Sequence, residues 1–467
     1  IAGLQGDFAQ NEYAQVIIEN QGSSAITGTF ASVTDDLAFY DASVDYAAGT
    51  GNDVSLTLKR NTSGYADIAK TPNQKSVAVV LSSLKGADNL LNNILSLSEA
   101  AVQEAYTQLT GNIYPITRQA SVNLNQQVGQ QVGTRLTALR TSANSGGQAG
   151  LSFSTAQMAG FAQPQGLIDI TQPLGASLGL SNTSITSSSD RAPNGLWSHT
   201  VGGKGIIDAD GESVKTNYDW LGIIGGYDTA ITPEITLGAF FGYINGNSEQ
   251  TAIRSRIDTD TFTAGMYGEY RKNDWRASAQ LAWSQVASDS RRDLKIGGFD
   301  QTAKADYTDQ SLSVDAELAR TFQVEQNMWF EPYVSASVLQ QYLGEFTETG
   351  APGANLGRDD DTDLVGTSIV GVRFSSQYDI GNNKQLLPQL GLALKHHIGA
   401  TDNTSTLHFT SGGSDFAVNG TPKDRNMLTA KIGTAMKFGE SLQAFASYNP
   451  SFGAKQTEHS FVLGGRF

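Results

Sequence analysis

The sequence predicts an all-β fold with a helical linker: an antiparallel transmembrane β-barrel of about twelve strands, with helices and a few short strands ahead of it. Three observations point there. Between Leu196 and Phe467 about twelve segments of roughly ten residues alternate apolar and polar side chains, the length a tilted strand needs to cross a bilayer. Their connections alternate between short and long. No uninterrupted apolar run approaches the roughly 18 to 20 residues of a membrane-spanning helix, so strands are left to make the crossing.

The alternation is clearest in WRASAQLAW, where Trp275, Ala277, Ala279, Leu281 and Trp283 share one face and Arg276, Ser278, Gln280 and Ala282 the other. In LTAKIGTAMKF, Lys431 and Lys437 fall opposite Leu428, Ile432 and Phe438. Asp315 and Glu317 take the face opposite Leu312 and Leu318, while Phe262, Met266 and Tyr270 point outward. A small soluble barrel fills its interior with apolar side chains, whereas a transmembrane one keeps a polar lumen and a girdle of aromatics at each interface. Arg276, Asp315, Glu317, Lys431 and Lys437 are therefore expected inside. The alternative is a soluble antiparallel sandwich.

Connection lengths favour the membrane. Tight turns are expected at DTAITPE, RKNDW, VEQNM, DIGNNKQ and FGES. Between them, long polar loops are expected at residues 208–217, 247–256, 288–306, 347–363 and 399–425. Short turns on the periplasmic side and long external loops are the asymmetry of outer-membrane barrels.

Upstream, the pattern changes twice. Residues 1–61 hold short β-branched runs, AQVIIEN, AITGTF and DVSLTLKR, separated by Gly, Asn and Asp. Such strands bury their apolar faces by stacking on similar rungs, so the segment reads as the tail of a longer solenoid. Residues 62–195 read as a linker. A 3.6-residue period begins at Pro72, and a second helical run after Pro115 is rich in Gln and Asn, with a thin apolar stripe at Val122, Val128, Val132 and Leu136. From 141 the composition turns to Gly, Ser, Gln and Thr, as in a flexible connector.

Composition narrows the function. Of 467 residues only 16% are charged, and the net charge of −15 opposes nucleic-acid binding, which needs clustered Lys and Arg. The absence of Cys removes disulfides, Cys-ligated zinc and thiol nucleophiles. The five His are scattered, and adjacent His396 and His397 point to opposite faces of a strand. No metal or cofactor is expected. The chain begins at Ile1 without an export signal, which is expected to lie upstream.

FASVTDDLAFYDASVDY followed by VSLTLKRN, then TPNQ and AYTQLTGNIYPITRQAS, GLWSHTVGGKGIIDADG, YDWLGIIGGYD and terminal SFVLGGRF, together resemble the type Va autotransporters across nearly the whole chain. Two positions depart: LTGNIYPITRQAS lacks the family's acidic and His residues, and Gly465 replaces a larger one. The resemblance implies that residues 1–61 are the short right-handed β-helix fragment ending a secreted passenger. It implies that 196–467 is the translocator barrel, in the bacterial outer membrane with the passenger at the cell surface. It also implies a helix in the lumen, for which 119–140 is the candidate, with Gln119, Asn123, Gln126, Gln127, Gln130 and Arg135 bonding to the wall. The alternative places that helix outside. Phe461, Leu463 and Phe467 match the signal read by the barrel-assembly machinery. Expected partners are outer-membrane lipid and lipopolysaccharide, that machinery, periplasmic chaperones and the passenger, with the chain a monomer.

Enzymatic readings carry less. Gly366-Thr367-Ser368 resembles a subtilisin-like turn but lies in an alternating strand. Self-cleavage at an Asn pair is weakened because Asn123 and Asn125 are not adjacent. Asp359, Asp360 and Asp361 read as solvated loop charge rather than a cation site. A diffusion porin, or an adhesin whose barrel is only an anchor, is the alternative function.

Overall fold

Residues 195–466 close into a barrel of twelve antiparallel strands in the computed structural model, which describes residues 12–142, 195–382, 384–399, 401–438 and 442–466. Ahead of it lie β1 (Glu12–Ile18), β2 (Tyr40–Ala48) and β3 (Asp53–Arg60), then α1 (Pro72–Leu81), α2 (Asp88–Leu95), α3 (Glu99–Leu109) and α4 (Ile113–Ser142). The barrel strands are β4 (Gly195–Ile207), β5 (Thr216–Ala230), β6 (Ile235–Gln250), β7 (Ser255–Lys272), β8 (Trp275–Ile296), β9 (Phe299–Arg320), β10 (Met328–Leu343), β11 (Asp361–Ser376) and β12 (Lys384–Ile398). An external hairpin, β13 (Asn403–Phe409) and β14 (Phe416–Gly420), precedes the last three, β15 (Asn426–Phe438), β16 (Leu442–Phe452) and β17 (Gln456–Arg466). Each barrel strand pairs with its sequence neighbour, and β17 closes on β4 with Phe461 opposite Gly202 and Leu463 opposite Thr200. Closure is obligatory, because hydrocarbon offers no partner to an open edge.

The sense of the alternation is unambiguous. Trp275 is 49% exposed and Ile432 57%, while Arg276, beside Trp275, is 2% exposed. Apolar side chains thus face lipid and ionic ones face the bore. Turns on one side are short: Asn273, at φ 53°, makes the β7–β8 corner in the left-handed region that Asn tolerates. By the loop asymmetry of such barrels this is the periplasmic side.

On the other side, several expected loops are strand. β8 and β9 run 22 residues each and turn at Gly297-Gly298, so residues 288–306 are a hairpin standing far above the lipid belt. Residues 247–256 belong to β6 and β7 apart from a short 3-10 turn at Thr251–Ile253 and the left-handed Arg254 that follows it. Residues 399–425 contain β13 and β14. Polarity misled the reading, since strands that leave the membrane need no apolar outer face.

The expected β-helix rungs are also corrected. A β-helix stacks parallel strands, whereas residues 12–60 form an antiparallel sheet in the order β1-β3-β2. This sheet joins the helices and the barrel extensions in one core outside the lipid belt. Phe39, Tyr40 and Leu58 meet Leu81, Ile94 and Tyr106 from the helices, Leu294 and Phe299 from the β8–β9 hairpin, and Phe409 and Val418 from β13–β14. TPNQ explains one joint. Thr71 caps α1 by accepting from Gln74 N, Pro72 takes the first turn where no N–H is required, and Asn73 exchanges two hydrogen bonds with the Asn419 backbone at 2.7 and 2.8 Å.

Beneath this core Arg292 donates to both Glu348 oxygens at 2.7 Å and to the carbonyls of Gln108 and Ala354, and Tyr114 shares the Glu348 carboxylate. Burial pushes the Tyr114 hydroxyl well above its ordinary range, and the Glu348 charge adds to it. Removing one partner of a buried pair strands the other charge. Arg292→Ala is expected to loosen the external core by about 3–5 kcal/mol, read as faster protease cleavage within residues 12–109 on intact cells. Unchanged cleavage would show that the pair does not hold the core.

Candidate functional site in the barrel lumen

The lumen is occupied by α4, whose 30 residues span about 45 Å at 1.5 Å per residue, more than the ~30 Å hydrocarbon core. It enters from the external side beside Tyr114 and Glu348, and by Arg135 it has reached Asp228, next to the short β5–β6 turn. The helix is not centred. Its apolar stripe lies against the wall made by β4–β8, and Gln119 and Gln127 bond to β17; Val122, Asn125 and Gln126 reach β9–β12, and beyond Gln126 a cavity opens between the helix and the wall of β9–β12 and β15.

The near wall is apolar, which an evenly polar lumen would not be. Trp197, Tyr218, Trp220, Phe240 and Tyr267 point inward, and Leu124, Val128 and Val132 of α4 pack on that cluster. The rings lie flat because the strands beneath them carry glycine. A Cβ on Gly238 would stand 2.3 Å from the Tyr267 ring, and one on Gly226 2.7 Å from Trp197. Val122 finds a separate contact with Leu339 and Val365.

Polar side chains of α4 bond to the strands on either side of this stripe. Gln119 donates to Gln456 at 3.0 Å and accepts from Asn403 at 3.1 Å. Asn123 donates to the Tyr218 hydroxyl, itself donating to Glu458 at 3.0 Å. Gln126 donates to Thr367 at 3.0 Å and accepts from Lys395 at 3.1 Å; Gln127 donates to Glu458 and accepts from Ser460. Gln130 faces the cavity. Arg135 makes the strongest contact, a bidentate pair with Asp228 at 2.6 and 2.7 Å, both side chains almost wholly buried. Tyr267 donates to the same carboxylate at 2.8 Å, and Trp197 donates to Tyr267 at 2.8 Å.

Across the cavity, the charges form a second network. Arg276 pairs with Glu269, Glu317 and Glu331, and Arg373 pairs with Glu317 at 2.6 Å and Glu331 at 3.1 Å. Asp315 faces Gly129, where a Cβ would lie 3.5 Å from the carboxylate. Lys431 and Lys437 both lie on the inward side of β15. Phe461 and Leu463 face lipid, and Phe467 lies outside the described residues.

Several lumen residues escaped sequence reasoning. Asp228 belongs to DTAITPE, where an Asp reads as turn chemistry, and Arg373 and Glu331 sit on inward positions that the alternation marks but does not rank. Arg118, which donates to Asn403 and Thr404, and Asn125, which accepts from Ser284 and Ser311, lie on the same helical run as the residues singled out. The Gly366-Thr367-Ser368 turn is strand, with Thr367 bound to the lumen helix.

A family model described as autotransporter beta-domain matches residues 196–449. An extracellular serine protease of Serratia marcescens is 21% identical over 474 residues, covering 98% of this chain and 44% of its own length. The autotransporter adhesin/invasin TibA of Escherichia coli is 24% identical over 239 residues, covering 50% of this chain and 22% of its own length. This chain thus spans less than half the length of these curated relatives. The translocator domain of NalP from Neisseria meningitidis superposes with a TM-score of 0.47 at 14% identity, covering 63% of this chain and 92% of that one. For the transport unit of AIDA-I from Escherichia coli the TM-score is 0.43 at 14% identity, over 63% and 97%.

If the Arg135–Asp228 pair holds the helix down, Asp228→Asn leaves a guanidinium without its counter-charge, a cost of about 3–5 kcal/mol. Larger and more frequent current steps are expected in planar bilayers. Replacing both residues, Arg135→Met with Asp228→Leu, removes the stranded charge and is expected to return the current toward the parent level. A double variant as leaky as Asp228→Asn would assign the effect elsewhere.

Proposed function

The chain belongs to the autotransporter family, and from that premise we propose that it is the translocator unit carrying its own N-terminal passenger through the outer membrane and holding it at the cell surface. The single observation behind the passenger's route is α4: its upper end leads to a folded external core and its lower end lies at the periplasmic mouth, where β4 begins. A chain that threads a closed barrel in this way has its upstream part outside and its downstream part in the wall. The residues α4 offers to the wall, Gln119, Asn123, Gln126, Gln127, Gln130 and Arg135, are on this reading the plug that remains after export. Phe461, Leu463 and Phe467 are proposed as the assembly signal, with the barrel-assembly machinery, periplasmic chaperones, surrounding lipid and lipopolysaccharide as partners of a monomeric barrel.

Residues 1–61 are proposed as the passenger's end, 62–195 as the linker and 196–467 as the translocator. Folding of the external core supplies a direction: apolar side chains buried there would have to be exposed again before the chain could slide back. Protease and adhesin activities are properties of the relatives named, and in this chain any such activity would belong to the passenger.

Surface proteolysis of intact cells tests the reading. Cleavage within residues 12–60 is expected to leave a membrane-embedded fragment that contains 195–466 and migrates faster unheated than boiled. A chain whose N-terminal region is cut only after the outer membrane is breached would overturn the proposed topology. The porin alternative predicts steady solute conductance in the presence of α4, so a closed parent barrel that conducts only after removal of residues 113–142 separates the two.

A further inference from the structure

The lipid-facing wall is interrupted between β9 and β10, at a proline. Pro332 in β10 has no N–H to give to β9. The β9–β10 ladder accordingly stops at Ala319 opposite Tyr333, and pairing resumes only in the turn, with Phe322 opposite Phe330. In the interval the outer surface is indented. Pro332, Val334, Val370 and Val372 form the floor of an apolar groove between Trp275 and Leu318 on one side and Leu392, Leu394 and Leu428 on the other.

Arg320 stands at the periplasmic end of this groove, on the strand position next to the break. Its guanidinium lies over the rings of Trp275 and Phe322, 5.4 and 4.8 Å from their centroids, and among the described residues no carboxylate forms an ion pair with it. A cation on the lipid face is costly unless it reaches an interface and finds an anion there. At this depth the available anion is a phosphate at the level of the periplasmic headgroups. The guanidinium fork suits phosphate, and the groove leading away from it toward the bilayer centre suits an acyl chain.

We propose that this groove is a phospholipid site on the periplasmic leaflet, with one acyl chain lying over Pro332, Val334 and Val370 and the phosphate held by Arg320 against Trp275 and Phe322. The proposal rests on the reading that the barrel spans the outer membrane. The bound lipid mends a defect in the wall: it covers the apolar indentation that Pro332 opens and supplies the charge that Arg320 lacks.

The test uses the full chain, extracted in mild detergent, with phosphatidylglycerol added at defined ratios and retention read by native mass spectrometry. The parent chain is expected to keep one phosphatidylglycerol at detergent concentrations that strip the rest. Arg320→Gln removes the charge and Val370→Trp fills the groove, and each is expected to weaken retention about tenfold, or about 1.4 kcal/mol. Val334→Phe serves in place of Val370→Trp if the latter does not fold. Heat-modifiable migration, unchanged in all variants, establishes that the barrel still forms, so loss of retention is distinguished from failure of the membrane reading. Equal retention by Arg320→Gln or by a groove-filling variant overturns the proposal. So does release of the lipid by glycerol phosphate at equal concentration, which would assign the site to a headgroup alone.

Discussion

The closed hydrogen-bond ladder is the constraint on which the rest of the structure depends. In hydrocarbon each unpaired N–H or C=O costs several kcal/mol, so the sheet has to meet itself, and β17 does so on β4. Closure with twelve strands leaves a bore wider than side chains alone fill, and an empty bore would breach the barrier that the membrane exists to maintain. The chain answers with its own α4. From this follow the uneven polarity of the lumen, the glycines beneath the inward rings and the position of the external core.

The two walls of the lumen do different work. Against β4–β8 the helix finds Trp197, Tyr267 and Phe240 and buries Val128 and Val132, which gives it a fixed rotation about its own axis. Arg135 then fixes its height, since a bidentate pair with Asp228 tolerates little sliding. Opposite, Arg276 and Arg373 pair with Glu317 and Glu331 within the wall, and Gln126 ties the helix to that side through Thr367 and Lys395.

Much of the barrel was legible because a period of two survives in single strands: Trp275 through Trp283 names both faces without any neighbour. The extent of the strands was not legible. Residues 288–306 have the composition of a loop, and their pairing in β8–β9 comes from a hairpin whose outer face meets water, where polar and charged residues serve as well as apolar ones. The antiparallel pairing of residues 12–60 was hidden for a related reason, since short β-branched runs specify strands but not their direction. In the lumen, Gln and Asn along 119–130 announced polar partners, whereas the aromatic cluster that receives Val128 and Val132 is assembled from Trp197, Tyr218 and Tyr267 on separate strands, each of which reads alone as one more girdle residue.

A further consequence concerns order in time. An extended segment as long as α4 would cover roughly 100 Å at ~3.3 Å per residue, against about 45 Å as a helix. On the proposed reading, chain moving outward through the bore passes extended, and neither Arg135 with Asp228 nor Val128 with its aromatic bed is then in register. Both contacts form only when this stretch stops and coils. On the proposed reading the external core, by gathering β1–β3 and α1–α3 onto the barrel's own hairpins, is what stops it, because Asn73 and Arg292 join that core to the rim. The plug is then set by the same folding event that ends transport, and no separate closing device is required.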